Sequence, residues 1–153
     1  MNHRIKGARS AQEVFDVLKT IREEGNTLNV VHVSIAVSAL GRMRGEWGSA
    51  VELLRSSERN YGVQPNEITY NAAISACGKA RQWTQALELL EEMKSSGIRP
   101  NVISYSAAIS ACEKGGKWER ALELWEETKH CGIEPNVISY SAAISACEKG
   151  GKW

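Results

Sequence analysis

The sequence predicts an all-α fold: a solenoid of stacked antiparallel helical hairpins. Three observations point to it. Trp83, Trp118 and Trp153 are spaced 35 residues apart, and so are Cys77, Cys112 and Cys147, Tyr70, Tyr105 and Tyr140, and Pro65, Pro100 and Pro135. A fixed period of that length marks a repeat array rather than a domain with one central core. Within each period, apolar residues fall at helical spacing twice, separated by breakers. A hairpin this small cannot bury its own apolar face, so successive hairpins must stack and share a core that runs along the array.

Taken in order, the chain divides into the tail of one unit, second helix only (1–29), full units at 30–66, 67–101 and 102–136, and a truncated unit, first helix only (137–153). The run PNVISYSAAISACEKGGKW at 100–118 recurs letter for letter at 135–153. The unit at 30–66 is stretched by single-residue insertions near Met43 and Arg59. In the unit at 67–101, Ile68, Ala72, Ile74, Ala76 and Cys77 define a first helix whose small residues permit close packing. Residues 78–82 are expected to break it. The second helix starts near Trp83 and carries Ala86, Leu87, Leu89, Leu90 and Met93 on one face, with Glu88, Glu91, Glu92 and Lys94 outward. It is expected to stop at Gly97, where a left-handed residue closes a helix, and Pro100 prevents its continuation.

Composition narrows the function. The chain has 153 residues, 42% hydrophobic and 24% charged, which suits a folded protein. Nineteen Lys plus Arg against eighteen Asp plus Glu leave a net charge of +1, so any nucleic-acid surface has to be local. No apolar run approaches the roughly 18 residues of a membrane-spanning helix. Arg4, Lys6 and Arg9 without an acid give residues 1–10 the charge of an organellar presequence, but Glu13 and Asp16 follow at once, so no clear transit peptide is present. The cysteines form no C-x-x-C pair and lie near no His at ligand spacing, so neither a metal nor another cofactor is expected. His3, His32 and His130 are not repeated, and no paired carboxylates or phosphate-cradling Gly loop suggest an enzyme.

One set of motifs carries a family resemblance: Ile68-Thr69-Tyr70-Asn71, Ile74-Ser75-Ala76-Cys77-Gly78-Lys79, Ala86-Leu87-Glu88-Leu89-Leu90-Glu91-Glu92-Met93-Lys94 and Gly97-Ile98-Arg99-Pro100-Asn101. Over residues 30–153 the pattern resembles the pentatricopeptide repeat, in its P-type form. The tetratricopeptide repeat differs, with a period of 34 and its Trp early in the first helix; Trp83 opens the second. Two departures from the commonest pattern are that Trp and the replacement of the Tyr by Val33 in the unit at 30–66.

The resemblance implies a right-handed superhelix that binds single-stranded RNA, about one base per repeat, in a plastid or mitochondrion. It implies base reading by the residue after the Tyr and the last residue of the unit: Ser34 with Asn66, Asn71 with Asn101, Ser106 with Asn136, and Ser141. The chemistry agrees, because an Asn NH2 donates to the ring nitrogen of adenine or cytosine, whereas guanine and uracil present a donor there. The implied readout, 5′ to 3′, is A, C over U, A, then a purine. Val31, Ile68, Ile103 and Ile138 would wedge between bases, and Arg42, Lys79, Lys114 and Lys149 would touch phosphate.

Each set has a plainer reading. Asn66, Asn101 and Asn136 are good helix N-caps. The aliphatic set suits a core, and a Lys at a helix C-terminus complements the dipole. Cys77, Cys112 and Cys147 suit buried packing, as does the Trp series; Cys131 and Trp125 interrupt the pattern. A groove of this kind also suits a peptide, so a protein–protein scaffold is the alternative function, and uncapped array ends would self-associate.

Overall fold

The computed structural model describes residues 2–150, without the side chains of Asn2, His3 and Ile138. Within them run α1 (Asn2–Lys6), α2 (Ala11–Glu23), α3 (Val30–Arg42), α4 (Trp47–Tyr61), α5 (Glu67–Lys79), α6 (Trp83–Ser95), α7 (Val102–Lys114), α8 (Trp118–His130) and α9 (Val137–Gly150). Each first helix starts directly after an Asn that closes the preceding unit. The first helices α3, α5, α7 and α9 stack side by side in one layer, and each of α4, α6 and α8 packs against its own first helix and the next one. The result is a helical solenoid.

The core lies between the layers. Leu53 and Leu54 of α4, Ile74 of α5, Leu89, Leu90 and Met93 of α6, and Ile109 of α7 are fully buried. Burying each such side chain is worth roughly 1.5–3 kcal/mol. Cys77 and Cys112 are buried among them as free thiols, and burial pushes both up to about 11, against weaker opposing pulls from Arg55 and Arg120 respectively. Of the two residues that break the repeat pattern, Trp125 packs, its ring meeting Tyr140 edge-on at 4.9 Å, while Cys131 is exposed with its Sγ 3.8 Å from the Tyr105 hydroxyl.

Two expectations are corrected. The first unit is not a second helix alone, because α1 precedes α2 and packs on α3 through the buried Ile5. The break expected at 78–82 is shorter: α5 continues through Gly78 to Lys79. Gly78 is there for contact, since a Cβ at this position would lie 3.3 Å from Ala111 Cβ of α7. Small residues at such positions let the first helices approach closely. The stop at the end of α6 is as expected, with Gly97 at φ 79° and Ile98 N–H donating to Met93 O at 3.0 Å. Of the extra residues in the unit at 30–66, the one near Arg59 lengthens α4, which has 15 residues against 13 in α6 and α8.

Candidate nucleic-acid interface

The closing asparagines cap the first helices. Asn66 Oδ1 accepts from Ile68 N and Thr69 N, each at 3.1 Å, and Asn101 Oδ1 accepts from Ile103 N at 3.0 Å and Ser104 N at 3.1 Å. Asn136 Oδ1 accepts from Ser139 N at 2.9 Å, and Asn29 caps α3 in the same way. Thr69 and Ser104 return a bond to the backbone of their caps, completing capping boxes. Two backbone donors on one side-chain oxygen fix the amide's orientation. The oxygen faces the helix, and among the described residues no hydrogen bond uses the Nδ2 of Asn66, Asn101 or Asn136. Capping and an outward-facing NH2 are therefore one arrangement.

The residues after the Tyr positions touch these caps. Asn71 Nδ2 donates to Asn101 Oδ1 at 3.2 Å, and Asn71 Oδ1 accepts from the Ser104 hydroxyl. The Ser106 hydroxyl lies 3.0 Å from Asn136 Oδ1 and 2.6 Å from Val102 O. Ser34 reaches Asn66 indirectly, through Thr69 Oγ1 at 2.9 Å. Two of the three pairs expected from sequence are thus in direct contact and the third is bridged. Ser34, Asn71 and Ser106 are nevertheless buried between first helices, while Ser141 is exposed.

The aliphatic set is surface, not core. Val31 is exposed, Ile68 is 59% exposed and Ile103 57%; Ile138 lies outside the described side chains. A cavity of about 320 Å³ brings Val31, Ser34, Arg42, Asn66 and Ile68 together, and another of about 210 Å³ joins Ile103, Ser106 and Asn136 to Lys79 and Lys114. Each therefore places a capped Asn, an exposed aliphatic chain and a cation around one space. Ser38, Ser75 and Ser110 also line these cavities or their walls at matching repeat positions. They sit one turn beyond the pair residues on the same helix face, a spacing visible in the sequence.

The charges separate as a net near zero requires. Arg42, Lys79 and Lys114 are exposed at the ends of their first helices. Lys149 differs, because its amine is bonded to Glu113, which also accepts from Ser145 Oγ at 2.7 Å. Burial raises the Glu113 carboxyl, yet the bonds from Lys149 and Ser145 outweigh it together and hold the group below the ordinary carboxylate range. The acids of the second helices are mostly paired: Glu92 with Arg55 at 3.4 Å, Glu127 with Lys94 at 2.6 Å, Glu123 with Arg120 at 2.6 Å and Glu126 with Lys129 at 3.0 Å. Among the described residues no three His, Cys, Asp or Glu converge as a metal site requires, and no helix is long and apolar enough to cross a membrane.

The sequence model of the PPR repeat family matches residues 65–114 and again 102–149. The chain belongs to the pentatricopeptide repeat family. Among solved structures, this PPR chain is similar to maize PPR10, crystallised in complex with an 18-nt psaJ RNA element, at 25% identity and a TM-score of 0.79 over 93% of this chain and 20% of that one. It also resembles the PPR domain of Arabidopsis thaliana protein-only RNase P 1 in complex with tRNA, at 17% identity and a TM-score of 0.76 over 92% of this chain and 74% of that one. Nuclear proteinaceous RNase P 2 of A. thaliana shares the fold at 14% identity and a TM-score of 0.74, over 94% of this chain and 32% of that one. The PPR chain spans about a fifth of the length of PPR10. No curated protein matches it.

Proposed function

We propose that the chain binds single-stranded RNA along the face formed by α3, α5, α7 and α9, about one base per repeat, without chemistry of its own, in the RNA metabolism of a plastid or mitochondrion. The observation that carries this reading is the capped asparagine. Its oxygen is committed to the helix, so the group it offers a base is a donor, and a donor suits the ring nitrogen of adenine or cytosine. The likeness to PPR10, crystallised with RNA, supports the same reading.

The neighbouring position sets base size. Both the 320 Å³ and the 210 Å³ cavity adjoin a pair containing Ser, Ser34 with Asn66 and Ser106 with Asn136. Serine leaves room for a two-ring base, and Asn71 fills more of that room. The readout is then A, C over U, A, and a purine at Ser141. In this reading Val31, Ile68 and Ile103 stack between successive bases, and Arg42, Lys79 and Lys114 meet the backbone. With three to four bases and roughly 1–3 kcal/mol per stacked base, binding is expected to be modest and salt-sensitive.

The test is fluorescence anisotropy with 5′-ACAA inside a longer unstructured RNA. Binding at low salt that weakens steeply with added KCl is expected, and no binding at low salt overturns the reading. Asn101→Asp keeps the cap but presents an acceptor, so preference at the second base should move from C towards U. An unchanged preference removes Asn101 from the reading pair.

A further inference from the structure

Arg81 is the one described residue other than glycine with a positive φ, 60°. It stands just past the end of α5, where Arg81 N–H donates to Gly78 O at 3.0 Å and Gln82 N–H donates to Cys77 O at 2.8 Å. The matching turns use Gly45, at φ 80°, and Gly116, at φ 74°. In this region the Cβ of an L residue crowds the following carbonyl, so helices usually end here on glycine. An arginine is therefore held against a local cost, and strain of this kind points towards function.

The Arg81 side chain makes no ion pair among the described residues. Arg81 lines a cleft of about 700 Å³ together with Arg42, Arg44, Lys79 and Trp47. Among the described residues no acid lines this cleft and none of its four cations forms an ion pair, whereas Arg55, Lys94, Arg120 and Lys129 all hold carboxylates. Four like charges around one space repel one another, and an anion between them removes that repulsion. Guanidinium groups match a phosphate diester's paired oxygens.

We propose that Arg81 and Arg44, acting with Arg42 and Lys79, clamp internal phosphodiesters of the RNA strand between the units at 30–66 and 67–101. The clamp rests on the RNA-binding reading and adds a place to it. The grip is concentrated in residues 42–81. It is weak further along, where Gly116 stands in the position of Arg81 and Glu113 holds the Lys149 amine.

The test uses the full chain and a 5′-hydroxyl RNA containing ACAA, titrated over a KCl series, with Arg81→Gly, Arg44→Gln and the double variant. R81G is expected to melt above the wild type, because its turn takes the residue of its neighbours, and yet to bind more weakly. Each lost contact should lower the slope of log K against log salt by about 0.7, which is about 5-fold in affinity at 0.1 M relative to 1 M, with base preference unchanged. The double variant should lose about 1.4 in slope, and Gly116→Arg should gain. If the wild type binds with base preference while the double variant keeps its slope, the clamp is overturned and the RNA reading stands; if the wild type binds no RNA, both fall. R81G that melts lower at an unchanged slope assigns Arg81 to the fold and overturns the clamp. An effect confined to 5′-phosphorylated RNA also overturns it, in favour of end recognition.

Discussion

α7 and α9 are two copies of one sequence, Val-Ile-Ser-Tyr-Ser-Ala-Ala-Ile-Ser-Ala-Cys-Glu-Lys, in two different settings. Both are helices, because the cap at Asn101 or Asn136 and the residues that follow are the same. Their burial differs. Tyr105 is 2% exposed and Tyr140 51%; Ile109 is fully buried and Ile144 63% exposed. α7 has α5, α6, α8 and α9 around it, whereas α9 has α7 and α8. Local sequence thus sets the helix, and the neighbouring repeats set what each residue does. In an array, a core position or a reading position belongs to the contact between units.

Ile109→Ala and Ile144→Ala test that lesson where the effect is largest. The substitution is the same in the same sequence context, yet the first should cost about 2–5 kcal/mol and the second less than about 0.5 kcal/mol. Urea denaturation followed by helical circular dichroism measures both. Equal costs would mean that α9 is covered in solution by another surface.

The caps give the next largest effect. Asn101→Ala removes the acceptor for Ile103 N and Ser104 N and should cost about 0.5–2 kcal/mol. Asn101→Asp keeps an acceptor and adds a negative charge at the helix N-terminus, so it should fold at least as well as the wild type. The two variants separate stability from reading: a specificity change in N101D without loss of stability assigns the outward Nδ2 its part. A melting temperature for N101D as low as that of N101A would show that the cap needs the amide itself.

The architecture was legible in the sequence because it is periodic. The spacing of Tyr, Cys, Pro and Trp located the hairpins, and the asparagines announced the helix starts. Features that depend on distance between units were not legible. Gly78 read as a breaker, because nothing in a linear pattern says that Ala111 lies against it. Ser34, Asn71 and Ser106 carry no sign in the sequence of the burial that the closeness of the first helices imposes. The apolar character of Ile68 and Ile103 suited a core, yet α5 and α7 turn these residues to the groove. Arg81 gave no sign of its backbone strain beyond standing where Gly116 stands one unit later.

Glu113 offers the finest test of the comparison between the two ends of the groove. In the unit at 67–101 the matching position is Gly78, and Lys79 beside it is unpaired; one unit on, Glu113 reaches across to the Lys149 amine and the Ser145 hydroxyl. Because the folded carboxyl lies below its ordinary range, its contribution to stability is present above the unfolded carboxylate pKa and is lost as pH falls through the folded value. Glu113→Gln should therefore lower stability slightly at neutral pH and flatten the acid limb, the difference from the wild type vanishing as pH falls below the folded value. The same substitution frees Lys149 for phosphate and should raise the salt slope of RNA binding by about 0.7, one added contact. A slope unmoved by E113Q would mean that the RNA path has left the surface before Lys149.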